Sequence, residues 1–150
     1  MEYRSPDPEA VVRGANVKAT LDAFKQIPTL GKSFVSKYFL PEELREDTFV
    51  PVQSWLDALR DIRDEVGEPV LREVGRYIVE NADFPPQFKT VKDVLLALDD
   101  IYHLNHRGEV GHYHAKVQKD GSIVVRCETP YPAAFEHGLV EGISANPRLL

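Results

Sequence analysis

Five histidines and one cysteine supply most of the side chains that could bind a metal or act as a nucleophile, and all lie in the last third of the chain. His112 and His114 are two residues apart, which on a strand puts both imidazoles on one face, roughly 7 Å apart. Imidazoles at this spacing can chelate a metal. The predicted strand pairing adds Glu128 as a third ligand, but it also brings the cation of Arg126 alongside. We therefore expect no metal site, with His112, His114 and Glu128 as the alternative.

Cys127 is the other reactive side chain. A cysteine nucleophile needs a base and an oxyanion hole, and no strand-to-helix nucleophile elbow accompanies this one. Free cysteine usually packs as a small hydrophobe. We expect Cys127 to be buried beside Tyr113 rather than to be catalytic.

Six aromatic side chains from separate parts of the chain are candidates for a ligand-binding pocket. Aromatic and apolar residues dominate the lining of small-molecule sites, although the same residues can simply fill a core. The sequence leaves both alternatives open. The candidates are Trp55, Tyr77, Phe84, Tyr102, Tyr113 and Phe135.

Helical periodicity runs through the part of the chain that must position these residues. The first pattern starts at Glu9, but Gly14 weakens its beginning, so the helix proper can start after it. Pro28 and Pro41 separate the first segments, and Gly67 is a candidate C-terminal cap. The predicted helices cover residues 9–27, 31–40, 51–66, 69–81 and 91–104.

The period changes from 3.6 to 2 after Gly108, which predicts a β-hairpin with strands over 110–117 and 122–128. A turn with Gly121 in the left-handed region joins them. This turn places Tyr113 opposite Cys127 and His112 opposite Glu128. Tyr113 and Cys127 then share an apolar face with Ala115, Val125, Val117 and Ile123.

A final helix starts at Pro132 and ends before Pro147. The fold class is therefore α+β, with a helical N-terminal two-thirds packed on a C-terminal antiparallel hairpin and the final helix. Residues 1–8 form an N-terminal arm, and residues 9–150 form one domain of ordinary size.

Charge and composition narrow the function classes. The chain has 150 residues and a net charge of -6, which opposes nucleic-acid binding. It contains no apolar stretch long enough to span a bilayer. A single cysteine allows no disulfide within the chain and gives no reason to expect secretion. We expect a cytoplasmic protein with neither nucleic acid nor membrane insertion among its partners.

The segment from Gly108 to Ile143 resembles one known group of domains. It contains Gly-Glu-Val-Gly-His-Tyr-His at 108–114, and then Pro-Tyr-Pro at 130–132 before a helix with Gly138-Leu139 and Gly142 in a Gly-Leu-x-x-Gly pattern. This ending resembles the haem–nitric-oxide-binding-like and 4-vinyl-reductase domain group, whose fold is similar to subunits of the TRAPP vesicle-tethering particle. The resemblance implies a sensor or binding fold with a pocket between helices and sheet.

Two signatures of that group are missing from this chain. The Tyr-x-Ser-x-Arg haem motif is absent, and Cys127 stands alone where some members have a zinc-binding cysteine cluster. We expect no cofactor, and a protein that is not an enzyme.

Three functions follow as hypotheses. The first is a non-catalytic sensor that binds a small apolar molecule between helices and hairpin. The second is a protein-interaction or dimerisation module without a small ligand. The third is an enzyme of the vinyl-reductase type. We also expect a homodimer, because a lone hairpin leaves both strand edges unpaired.

Overall fold

The computed structural model describes residues 2–82 and 84–149. They form seven helices, two small antiparallel sheets and two short 3₁₀ helices, which confirms the predicted α+β class. In chain order the elements are β1 Val11–Arg13, α1 Gly14–Asp22, α2 Pro28–Ser36, a 3₁₀ helix Pro41–Glu43, β2 Phe49–Pro51, α3 Val52–Val66, α4 Glu68–Asn81, α5 Val91–Leu96, α6 Leu98–Leu104, β3 His106–Arg107, β4 His112–Val117, β5 Ile123–Glu128, α7 Ala133–Ser144 and a 3₁₀ helix Pro147–Leu149.

Helices α4 and α7 pack most closely among the helix pairs of the described residues. Glycines make this close approach possible. A Cβ at Gly138 would meet the backbone of Arg72, and a Cβ at Gly75 would meet the carbonyl oxygen of Phe135. Gly142 is less restricted, since a Cβ there would lie 3.1 Å from the Cβ of Val79. The Gly-Leu-x-x-Gly pattern therefore has a packing role, since it lets two backbones touch where side chains would separate them.

The amphipathic helix α3 supplies the centre of the core. Trp55, Leu56, Leu59 and Ile62 are almost fully buried along one face, as their three- and four-residue spacing predicts. The helix ends at Gly67, whose φ of 95° lies in the region that favours glycine. The prediction of this helix and of its cap is confirmed.

The N-terminal sheet was not predicted. Its strand order is β2-β1-β3, with Val12 paired to Val50 on one side and to His106 on the other. The predicted helix from Glu9 is wrong over its first residues, because Val11–Arg13 is a strand and α1 begins at Gly14. Gly14 is required there, since a Cβ would strike the carbonyl oxygen of Glu43.

The hairpin has the predicted register. Tyr113 pairs with Cys127 and His112 pairs with Glu128 in the sheet formed by β4 and β5. Gly121 in the connecting turn has a φ of 90°, as expected for its left-handed position. The hairpin lies against α5 and α6. These two short helices replace the single helix predicted over 91–104, with the break at Ala97.

The N-terminal arm lies against the domain. The backbone N–H of Tyr3 donates to the carbonyl oxygen of Pro130 at 2.7 Å, and the Gln53 amide donates to the carbonyl oxygen of Tyr3 at 3.0 Å. The Tyr3 side chain is buried. Within the described residues, no helix combines the length and apolar character needed to cross a membrane.

Candidate ligand-binding pocket

A small cavity of about 70 Å³ lies between α3, α6, α7 and the hairpin. Four of the six predicted pocket residues line it: Trp55, Tyr102, Tyr113 and Phe135. We call this cavity the inner chamber. Its full lining is Asn16, Trp55, Ile78, Leu98, Ile101, Tyr102, Asn105, His106, Tyr113, Tyr131, Phe135 and Leu139.

The other two predicted residues lie elsewhere. Tyr77 is half-buried on α4, and the ammonium of Lys25 lies 5.0 Å from its ring centroid. Phe84 lines a separate, larger cavity, where the guanidinium of Arg148 lies 5.5 Å from its ring centroid. The six aromatics therefore do not form one cluster, because neither Tyr77 nor Phe84 lines the inner chamber.

The aromatic walls of the inner chamber support each other. Trp55 meets Tyr131 and Phe135 edge-on at ring centroid distances of 5.3 and 5.5 Å. Tyr131 stacks on Phe135 at 5.0 Å, and Tyr102 meets Tyr113 edge-on at 4.9 Å. Edge-on and offset-stacked pairs at these distances are favourable. The aromatic side of the chamber is thus formed by rings that pack on one another.

Tyr131 and His106 belong to the chamber although neither was among the predicted site residues. The Tyr131 hydroxyl donates to Nε2 of His106 at 2.7 Å, and Nδ1–H of His106 donates to the carbonyl oxygen of Tyr102 at 2.8 Å. This chain of bonds fixes a neutral imidazole. Burial lowers the pKa of His106 to about 4 and raises the pKa of Tyr131 well above its ordinary value.

The hydrogen bonds of His106 and Tyr131 leave the inner chamber apolar. Their polar atoms are used by each other and by the backbone, so the rings present carbon to the cavity. The Tyr102 hydroxyl is occupied as well, since it donates to the carbonyl oxygen of Val110 at 2.7 Å. The indole N–H of Trp55 donates to the Thr20 hydroxyl at 3.0 Å. A guest in this chamber would meet mainly ring faces and aliphatic groups, with Asn16 and Asn105 as the polar side chains of the lining.

One buried polar group near the chamber lacks a partner. Among the described residues, the Tyr113 hydroxyl has no hydrogen-bond partner. Close to it lies Glu136, which is buried and accepts a hydrogen bond from the Thr129 hydroxyl at 2.8 Å. Burial raises the pKa of Glu136 to about 6, against the lowering effect of hydrogen bonds from Thr129 and Cys127. This corner can gain a proton within the neutral to mildly acidic range.

A larger cavity of about 440 Å³ adjoins the inner chamber. We call it the outer cavity. It reaches the surface at Leu104, which is 66% exposed. Its walls come mainly from α1, α4, α6 and α7. Both cavities share the lining residues Asn16, Ile78, Leu98, Ile101, Asn105 and Leu139.

The hairpin histidines occupy the opposite side of β4. His114 Nε2 lies 3.3 Å from a Glu128 carboxylate oxygen, as the predicted alternative metal set requires. His112 turns instead toward α6, where its Nδ1 lies 3.3 Å from Asp99 and 3.2 Å from Nε2 of His103. Arg126 lies 3.0 Å from Glu128 and compensates its charge. The predicted set of three is therefore divided between two groupings.

The prediction that Cys127 is buried is wrong. The residue is exposed, although its pairing with buried Tyr113 is as predicted. The thiol lies beside the buried Glu136 carboxylate, which removes part of its surroundings from water. This burial, together with the nearby Glu136 carboxylate, raises the pKa of Cys127 to about 12. The thiol thus stays protonated at neutral pH, which argues against a nucleophile.

Comparisons of the chain with protein-family models, with curated proteins and with solved structures found no match. The resemblance of residues 108–143 to the haem–nitric-oxide-binding-like and 4-vinyl-reductase group therefore stays a prediction.

Proposed function

We propose that the protein is a non-catalytic binding domain for a small, predominantly apolar molecule that enters the outer cavity and extends toward the inner chamber. The observation that carries this proposal is the adjacency of the two cavities through six shared lining residues. Protein interiors rarely keep voids much larger than a water molecule. Two adjoining cavities, one of them lined by aromatic rings, are therefore a feature that a bound molecule would explain.

The size and chemistry of the cavities support the same class of ligand. The outer cavity, at about 440 Å³, lies in the range of small-molecule sites. The inner chamber, at about 70 Å³, accepts no more than one end of such a molecule. Asn16 and Asn105 stand at the junction of the two cavities. They are the polar groups available to orient a ligand there.

Trp55 offers a direct test, because it is the only tryptophan of the chain and lines the inner chamber. N-phenyl-1-naphthylamine is an uncharged aromatic probe that accepts excitation energy from tryptophan. We expect a saturable transfer signal with one probe per chain. Ile101→Phe places a larger side chain in the wall that the two cavities share and so reduces the space for the probe. It should weaken probe binding by roughly tenfold or more, which corresponds to about 1.4 kcal/mol.

Leu96→Phe is the matched control. Leu96 is 48% exposed on α5 and lines neither cavity. It should leave binding unchanged. Absence of saturable binding, or equal weakening by the two variants, would contradict the proposal.

A second candidate function is self-association through the hairpin, as a homodimer. Val124 and Val117 are 54% and 38% exposed on β5 and β4. Among the described residues the hairpin sheet has only two strands, so an edge remains open for a second copy. Sedimentation equilibrium tests this. A mass that rises above 17.0 kDa with concentration supports it, and a constant 17.0 kDa contradicts it.

The dimer test has its own pair of variants. Val124→Lys should reduce association by placing a charge on the hairpin surface. Leu40→Lys is the control, since Leu40 is 59% exposed outside the hairpin.

A further inference from the structure

Three potential metal ligands converge where α6 meets the start of β4. Asp99 and His103 lie one turn apart on α6, which puts them on the same side of the helix. Nε2 of His103 lies 3.2 Å from Nδ1 of His112 and 3.4 Å from a carboxylate oxygen of Asp99. The same oxygen lies 3.3 Å from Nδ1 of His112. The three atoms thus form a nearly equilateral triangle.

These distances match the coordination of a tetrahedral cation. Ligand atoms at about 2.0–2.1 Å from Zn²⁺ in tetrahedral geometry lie roughly 3.3–3.4 Å from one another. Two imidazoles and one carboxylate are ligands that zinc and related first-row ions accept. The side chains remain partly exposed, between 35% and 50%, so an ion can reach them from solvent.

We propose that Asp99, His103 and His112 form a binding site for a divalent transition metal of the zinc class, with a fourth position open to water or an external ligand. This site is additional to the proposed apolar pocket and does not depend on it. It also differs from the sequence-based alternative, because His114 and Glu128 form a separate pair beside it.

The backbone holds the carboxylate in place. The N–H of Tyr113 donates to Oδ1 of Asp99 at 2.9 Å. Such a contact from outside the ligand set fixes the orientation of a ligating group and supports metal affinity. Because the donor belongs to β4 and the carboxylate to α6, the junction is formed before any ion binds.

A metal at this site would join the two walls of the inner chamber. Tyr102 precedes His103 on α6, and Tyr113 follows His112 on β4, and both tyrosines line the chamber. The ion would thus cross-link α6 to β4 directly outside the aromatic lining. Because an ion that binds only the folded chain stabilises it, metal binding should raise the thermal unfolding temperature.

The test is isothermal titration of Zn²⁺ into untagged protein that has been stripped with a chelator. We expect one Zn²⁺ per chain. His103→Gln, His112→Ala and Asp99→Asn should each raise Kd by roughly tenfold or more, since loss of a ligand costs at least as much as loss of its support. Asn at position 99 keeps an oxygen to accept the Tyr113 N–H. Co²⁺ should give the intense visible absorption of a four-coordinate ion.

His114→Ala is the matched control. It removes an exposed histidine whose ring centroid lies 6.0 Å from that of His112, outside the triangle. Zn²⁺ affinity should stay unchanged in this variant. Thermal melts without metal check that each variant folds. The proposal is overturned if no saturable binding of one Zn²⁺ per chain occurs, or if His114→Ala weakens binding as much as His103→Gln does.

Discussion

The stretch from α6 through β3 to β4 carries two groupings of polar and aromatic side chains that differ in burial and in hydrogen bonding. On the inner side, His106 is buried and its two ring nitrogens each have one partner. On the outer side, His103 and His112 are partly exposed and point at each other and at Asp99. Both ring nitrogens of the inner histidine are hydrogen-bonded within the fold, whereas the outer pair can be reached from solvent.

This difference explains which histidine can carry function. A buried imidazole with satisfied partners contributes to stability, and its replacement leaves unpaired polar groups. An exposed imidazole contributes little to stability, so it can be replaced at small cost to the fold. The comparison separates the residues that shape the pocket from those that can bind a solute directly.

The largest expected effect is the contrast between His106→Ala and His112→Ala. His106→Ala leaves the Tyr131 hydroxyl unpaired and opens a cavity, so the free energy of unfolding should fall by about 2–4 kcal/mol. His112→Ala should change it by less than about 0.5 kcal/mol in the presence of a chelator. Urea unfolding at pH 7 measures both. Equal losses of unfolding free energy in the two variants would contradict the distinction between the buried and the exposed histidines.

The second-largest effect should be the loss of stability that His106 causes at acid pH. Burial lowers the pKa of His106 from 6.5 to about 4, so the unfolded chain takes up the proton first. The stability that this group provides is fully present above pH 6.5 and is lost as the pH falls toward 4. It amounts to about 3 kcal/mol at 1.36 kcal/mol per unit.

Subtracting the pH profile of His106→Gln from that of the native sequence isolates this contribution. The two profiles should diverge as the pH rises from 4 to 6.5. Parallel profiles over this interval would show that His106 is not protected from protons.

Glu136 should give a smaller effect of opposite sign. Burial raises its pKa from 4.5 to about 6, so the fold loses stability as the pH rises from 4.5 through 6, and the loss is complete above that range. Glu136→Gln removes the charge and keeps an acceptor for the Thr129 hydroxyl. The free energy of unfolding should rise by about 1–2 kcal/mol at pH 8 and change little at pH 4.5.

Glu128→Gln, on the exposed end of β5, is the control for this comparison. Its effect should be under about 0.5 kcal/mol at both pH values. A destabilising effect of Glu136→Gln at pH 8 would mean that the hydrogen bonds to the carboxylate outweigh the cost of burying its charge.

The parts of the fold that local physics determines could be predicted from sequence. The hairpin register follows from the glycine turn at Gly121 and from the alternation of polar and apolar residues along β4, which β5 matches except at Val124. The sheet of β1, β2 and β3 could not be predicted, because strands of two or three residues are too short for an alternating pattern. Val11 and Val12 instead fitted the adjacent helical pattern.

The candidate sites show the same limit. Trp55, Tyr102, Tyr113 and Phe135 were identified by residue type, but only helix packing decides that Tyr77 and Phe84 lie elsewhere. His106 lies 25 residues before Tyr131 in the sequence, and nothing local connects the two. The Asp99, His103 and His112 triangle joins a helix to a strand, so no spacing along one element indicates it.

Methyl-labelled NMR with N-phenyl-1-naphthylamine directly tests whether the two cavities bind a small apolar molecule, because it reports where the probe binds. Shift changes should concentrate on the methyl groups of Ile78, Leu98, Ile101 and Leu139, which border both cavities. Val117 and Val124 on the hairpin should stay unperturbed. Saturable changes centred on those two valines, with the cavity methyl groups unchanged, would contradict the assignment of the pocket as the binding site.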